Sequence, residues 1–172
     1  MTDKPEYQIA ALQPSHDRSE FHCGVEELDL YFLHQAGQDA RRKVAAPFVL
    51  LDKLNRLVGY YTLSAYTVHL EQLPGPLAKK LPRYPLLRAT LLGRLAIRQS
   101  QRGQNLGRFL LMDALHRSWK NTSEVASIGV VVDAIDDAAR SFYLYHEFIP
   151  LAEHPKKLFL PMTTIARAFK PL

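Results

Sequence analysis

Two hydrophobic periodicities alternate along the chain. Over 24–43 the apolar residues Val25, Leu28, Phe32 and Ala36 recur at helical spacing, with Glu26 and Glu27 in the first turn and Arg41, Arg42 and Lys43 in the last, as a helix dipole prefers. Gly37 is placed to split this segment into two helices. Runs rich in β-branched and aromatic residues, 47–52 and 57–70, predict two strands, with "KLNR" between them as an antiparallel hairpin turn; 7–13 and 86–97 also read as strands. The four prolines of 71–85 predict a loop with one helical turn at 77–80. Residues 106–119 carry Leu106, Leu110, Ala114 and Leu115 on one helical face. "ASIGVVVDA" (126–134) is a nearly continuous apolar run, the mark of a strand covered on both faces. Asp136 is positioned to cap a helix over 136–146, and 148–153 and 156–162 close the chain as strands.

Antiparallel runs joined to β-α-β units predict an α/β (α+β) fold: a mixed, mostly antiparallel sheet of six to seven strands with helices on both faces. The chain has 172 residues, ordinary for one domain, and 1–172 is read as such. A formal charge of +5 is compatible with an anionic partner and equally with a surface excess of no consequence. The single cysteine, Cys23, rules out an intrachain disulfide and a four-cysteine zinc site. His22 beside it has no partner spacing for a metal, so none is expected. The N-terminus lacks a basic-then-apolar signal pattern, and no apolar run approaches the roughly 18 residues of a membrane span. A cytoplasmic location is expected.

Between the strand 86–97 and the helix 106–119 lies "QRGQNLG", residues 101–107. Strand, glycine-bearing turn and helix together aim free backbone N–H groups outward at the positive end of a helix dipole, where phosphate binds. Gly103 and Gly107 permit close backbone approach, and Arg102 and Arg108 supply charge that pairs with phosphate. The spacing excludes a Walker loop and a GxGxxG dinucleotide turn. On the residues alone, an anion cradle and a plain connection stand side by side.

The same turn after "RLAI" resembles motif A of the GNAT acetyltransferases, Arg/Gln-x-x-Gly-x-Gly/Ala, which cradles the pyrophosphate of acetyl-CoA. Arg102 and Gly107 match its outer positions; Asn105 stands where the family has its middle glycine. If that position needs a positive φ, Asn is the best-tolerated replacement. "VVVDAIDDAARSFYLYHEFIPL" is similar to the family's strand and Phe-Tyr helix followed by a final strand pair, with Glu147 in place of the usual glycine. "FHCGVEELDLYF", "LLGRLAI" and "KKLFLPMTTI" look like the GNAT toxins of bacterial toxin–antitoxin modules. That resemblance implies an acetyl-CoA-dependent enzyme that acetylates the amino group of aminoacyl-tRNA. It also implies a homodimer neutralised by a ribbon-helix-helix antitoxin.

The resemblance assigns the donor site to residues 102–108 (Arg102, Gly103, Gln104, Asn105, Leu106, Gly107 and Arg108) and to the backbone of Leu95, Ala96 and Ile97. There the pantetheine arm is held and one N–H serves the developing oxyanion. It assigns the general acid to Tyr143; on the residues alone, a packing aromatic is the simpler reading. Tyr145, about 200° further round a helix, is the weaker candidate. No carboxylate stands out as base. An α-amino group, with a pKa near 8 against roughly 10.4 for lysine, is partly neutral without one.

Arg41, Arg42 and Lys43, and Lys79, Lys80, Arg83 and Arg88, form two basic groups that suit tRNA phosphates; a solvated charged surface is the alternative. Arg94, inside an apolar strand, is expected to be paired internally or near the cleft, Trp119 to anchor a helix end, and Cys23 to be a weak cap or a buried small residue. The rival functions are a GNAT acting on a small amine or a protein N-terminus, and a non-catalytic GNAT that binds RNA or a partner.

Overall fold

The computed structural model describes residues 6–170. The elements are β1 (Tyr7–Ala11), α1 (Glu26–His34), α2 (Ala36–Arg42), β2 (Ala46–Asp52), β3 (Leu57–His69), α3 (Gly75–Ala78), β4 (Leu86–Ile97), α4 (Leu106–Asn121), β5 (Gly129–Asp133), α5 (Asp137–Tyr145), β6 (Ile149–Leu151), β7 (His154–Pro161) and α6 (Met162–Phe169). They form a seven-stranded open sheet of order β1-β2-β3-β4-β5-β7-β6, antiparallel in the pairs β1–β2, β2–β3, β5–β7 and β6–β7 and parallel in β4–β5. Among the described residues, no helix is long and apolar enough to cross a membrane. By packing, the chain divides into two compact units: Met1–Ser64 with Arg94–Ala114, and Ala65–Gly93 with Leu115–Leu172.

The first unit is centred on aromatic rings. Phe32 of α1 stacks on Tyr60 of β3 at 4.2 Å between centroids, and Phe21 meets both edge-on. Val25 and Leu28 pack against the same cluster and Ala36 is wholly buried in it, so the helical stripe read from the sequence is the buried one. The hairpin forms as expected. Asp52 accepts hydrogen bonds from the backbone N–H of Leu54 and Arg56, and Asn55 takes the left-handed conformation (φ 60°) that a tight turn needs.

The helix break falls at Gln35 and not at Gly37, which lies inside α2. Bending there lets the Gln35 amide and the Tyr31 hydroxyl both reach the Asp39 carboxylate, at 2.9 and 2.8 Å. Gly37 instead leaves room for the guanidinium groups of Arg18 and Arg41.

In the second unit, β5 is buried from Gly129 through Val132, the two-sided burial its composition demands. Asp136 caps α5 by accepting from the Ala139 N–H at 2.8 Å. Glu147, with φ 72°, closes the helix in the left-handed region where the family favours glycine. The helical turn of the proline loop lies at Gly75–Ala78, two residues before its expected place, because Pro74 supplies the start and its carbonyl accepts from Ala78. The last strand ends at Pro161 and gives way to α6, an amphipathic helix that buries Ile165. Its β-branched start, Thr163-Thr164-Ile165, resembles strand composition, so the local pattern does not announce it. Trp119 stacks on Phe169 of α6, with His116 beside both, and so anchors the end of α4.

Candidate acetyl-donor and acid site

In the first unit, β4 delivers the chain to the turn. The β4–β5 ladder covers only Thr90–Leu92, while β4 runs on to Ile97. At its end the Arg98 N–H bonds the Val58 carbonyl (2.8 Å) and the Gln99 N–H bonds the His22 carbonyl (2.8 Å), which fixes where the turn begins.

The N-terminal half of α4 is then seated on β3 at Gly59. A Cβ at that residue would lie 2.9 Å from both Ile97 Cδ1 and Leu110 Cδ1 and 3.0 Å from the Ala96 carbonyl oxygen. Only a residue without a side chain lets helix and strands approach this closely. One turn further, the Tyr61 hydroxyl donates to Asp113 Oδ2 at 2.5 Å and ties the helix to the same strand.

With α4 so held, the N–H groups of residues 103–108 have no hydrogen-bond acceptor among the described residues. The first turn of any helix leaves such donors; here the two residues of the preceding turn extend the set. Gly103 has φ 85° with open space where a Cβ would stand. Asn105 has φ 59°, so the position does require the left-handed conformation and Asn meets the requirement. Gln104 is fixed by Tyr7, whose hydroxyl donates to its side-chain oxygen at 3.0 Å. Arg102 donates one N–H to the Cys23 carbonyl at 2.5 Å and so braces the 22–24 loop, and Arg108 is exposed. The result is a run of unpartnered amides at a helix dipole's positive end, a feature that suits an anion.

Arg94 is paired internally: its guanidinium lies 3.4 Å from the centroid of the Tyr31 ring. Gln35 first, then Tyr31 and the two arginines Arg94 and Arg42, hold the Asp39 carboxyl below the usual carboxylate range. Asp39 is not legible from the sequence, because nothing local marks an acidic residue in a helix as buried. Cys23 is a buried thiol whose pKa burial pushes up to about 11, so at neutral pH it is no nucleophile.

In the second unit, Tyr143 lies on α5. Its ring is buried edge-on between Phe142 and Phe148, both 5.3 Å away between centroids. The hydroxyl has no hydrogen-bond partner among the described residues, and burial drives its pKa well above the ordinary tyrosine value. Packing alone explains the ring; the hydroxyl oxygen is not among the fully buried polar atoms without a partner, so it has access to solvent. Tyr145 is 82% exposed. The basic groups are exposed: Arg41, Arg42 and Lys43 at the end of α2 in the first unit, and Lys79, Lys80, Arg83 and Arg88 in the second. Among the described residues, no cluster of His, Cys, Asp and Glu could hold a metal.

The seven-stranded open sheet and the amide turn that follows its fourth strand define a GNAT-type acetyltransferase. No family model matches the chain. It is 30% identical over 147 residues to the tRNA-acetylating toxin of Mycobacterium tuberculosis, covering 85% of this chain and 86% of that protein. Among solved structures it matches AtaT complexed with acetyl-methionyl-tRNAfMet, with a TM-score of 0.88, 30% identity and 95% and 99% of the two chains covered. It also matches a tyrosine-to-phenylalanine mutant of AtaT bound to the C-terminus of the antitoxin AtaR and acetyl-CoA (TM-score 0.82, 27% identity, 97% and 100% covered). The chain belongs to the family of tRNA-acetylating GNAT toxins.

Proposed function

We propose that this protein is an acetyl-CoA-dependent N-acetyltransferase that acts on the α-amino group of aminoacyl-tRNA and so blocks translation, as the toxin of a toxin–antitoxin pair. The observation that carries it is the run of unpartnered amides at 103–108, ahead of a helix packed closely on Gly59, in a chain 30% identical to a tRNA-acetylating toxin. Residues 1–172 act as one catalytic domain, in the cytoplasm where charged tRNA is used. The active form is a homodimer, and its partner is a ribbon-helix-helix antitoxin.

Acetyl-CoA supplies an acetyl group activated as a thioester. The amides of 103–108, with Arg102 and Arg108, hold the diphosphate, and the backbone of Leu95, Ala96 and Ile97 holds the arm so that one N–H faces the carbonyl oxygen. In the transfer a C–N bond forms to the neutral amine and the C–S bond breaks. The amine's proton leaves to water, which is sufficient because the α-amino pKa is near 8. Tyr143 keeps its proton through the neutral range, since burial disfavours the phenolate. It gives that proton to the departing sulfur and recovers one from water. The basic groups Arg41, Arg42 and Lys43, and Lys79, Lys80, Arg83 and Arg88, pair with tRNA phosphates.

Bulk charged tRNA incubated with the protein and labelled acetyl-CoA, then analysed by mass spectrometry, tests the reading. Acetylated aminoacyl ester is expected. Tyr143→Phe lowers kcat by about a hundredfold or more while acetyl-CoA binding and Tm stay unchanged. Acetylation of a small amine or a protein N-terminus instead of charged tRNA overturns the substrate assignment. Absence of acetyl-CoA binding at millimolar concentration overturns the enzyme.

A further inference from the structure

The loop before β4 carries an aromatic ring in an unusual setting. Tyr84 is 65% exposed, in the stretch "KKLPRYPLLR". Its ring makes no aromatic contact and its hydroxyl no hydrogen bond among the described residues. The stretch just before it is cationic: Lys79, Lys80 and Arg83 lie within five residues of it in the chain, are exposed and have no ion-pair partner among the described residues.

The loop itself is anchored. Leu77 and Leu81 pack against the core of the second unit, and the Pro85 carbonyl accepts from the Leu70 N–H at 3.0 Å. Pro82 and Pro85 further narrow the conformations open to the segment. An exposed aromatic ring is therefore carried on a positively charged loop that is anchored on both sides of it, at Leu81 and at Pro85.

An exposed tyrosine in a cationic setting is how proteins receive unpaired nucleotides: the base stacks on the ring and the cations take the flanking phosphates. We infer that Tyr84 is a stacking platform for an unpaired nucleotide of the RNA substrate, with Arg83, Lys79 and Lys80 on the adjoining phosphates. This deepens the proposed function and rests on it. Double-stranded RNA does not use such a ring, because its bases are already stacked on one another. Tyr84 is a substrate-positioning residue with no part in proton transfer.

The test is steady-state acetylation of charged tRNA by wild type, Tyr84→Ala and Tyr84→Trp. Stacking on one base is lost in the alanine variant, so KM for charged tRNA rises by about tenfold. The KM for acetyl-CoA, the kcat at saturation and the Tm stay within error of wild type. Tyr84→Trp restores the low KM, since it keeps a π face and discards the hydroxyl. An unchanged KM for charged tRNA in Tyr84→Ala, with wild type active, overturns the inference and leaves the proposed function intact. So does a fall in molar mass by light scattering in Tyr84→Ala, which would make the ring a contact between copies of this chain. A wild type that acetylates no tRNA removes the proposed function itself.

Discussion

The guanidinium of Arg94 stacks 3.4 Å from the centre of the Tyr31 ring, and the hydroxyl of that ring is bonded to Asp39. A cation from the end of β4 is thus joined to a carboxylate of α2 through an aromatic ring of α1. Arg94 immediately precedes Leu95, Ala96 and Ile97. The side chain that closes the helical pair onto the strand is thus next in the chain to the stretch of backbone proposed to hold the donor's arm. A lysine cannot take its place, because a compact ammonium lacks the flat face that stacks.

Asp39 makes this network sensitive to acid. Its carboxyl pKa is lowered, first by the Gln35 amide, and the Tyr31 hydroxyl, Arg94 and Arg42 lower it further. A depressed carboxylate contributes stability that is whole above its unfolded pKa of about 3.9 and is lost as pH falls through the lower folded value. Asp39→Ala is expected to cost about 2–3 kcal/mol at neutral pH by chemical denaturation, as a charged hydrogen-bond acceptor disappears. The difference from wild type shrinks below pH 4.

Gly59 is the position where one methyl group is felt most directly. Gly59→Ala places a Cβ at 2.9 Å from Leu110 and Ile97 and 3.0 Å from backbone at Ala96. Overpacking of this kind costs about 1–3 kcal/mol. Because the strain falls on the seat of α4, calorimetry is expected to show weaker acetyl-CoA binding together with the lower Tm.

Asn105 occupies a left-handed position with φ 59°. Asn105→Ala forces a Cβ residue without a compensating polar group into that conformation, at about 1 kcal/mol. Asn105→Gly removes the strain and is expected to keep or tighten acetyl-CoA affinity. A large loss of affinity in the glycine variant would show that the Asn side chain itself takes part.

The pH profile of acetylation follows from Tyr143 as the proposed acid. Burial raises its pKa above the free value near 10, so the proton it donates is present throughout the neutral and mildly alkaline range. On the acid side the rate is limited by protonation of the acceptor amine. Turnover is therefore expected to rise with pH through the amine's pKa and to hold a plateau up to about pH 10. A fall between pH 8 and 9 in initial rates corrected for hydrolysis of the aminoacyl ester, and absent from Tyr143→Phe, would exclude a raised Tyr143 pKa.

What the sequence by itself determined is what neighbouring residues decide among themselves. The limits of β4 over 86–97, the hairpin turn at 53–56, the Asp136 cap, the two-sided burial of β5 and the left-handed fitness of Asn105 all follow from local periodicity, capping and φ preferences. The tertiary structure decided whatever depends on a partner far along the chain. The break fell at Gln35 because two side chains converge on Asp39. Met162–Phe169 became a helix because packing of Ile165 outweighs β-branched composition. Gly59 matters only once Leu110 and Ile97 are brought against it, and Tyr84 only once its loop is anchored with the ring outward. Such contacts are formed by residues that no window of sequence contains together, and their energies exceed the local propensities they override.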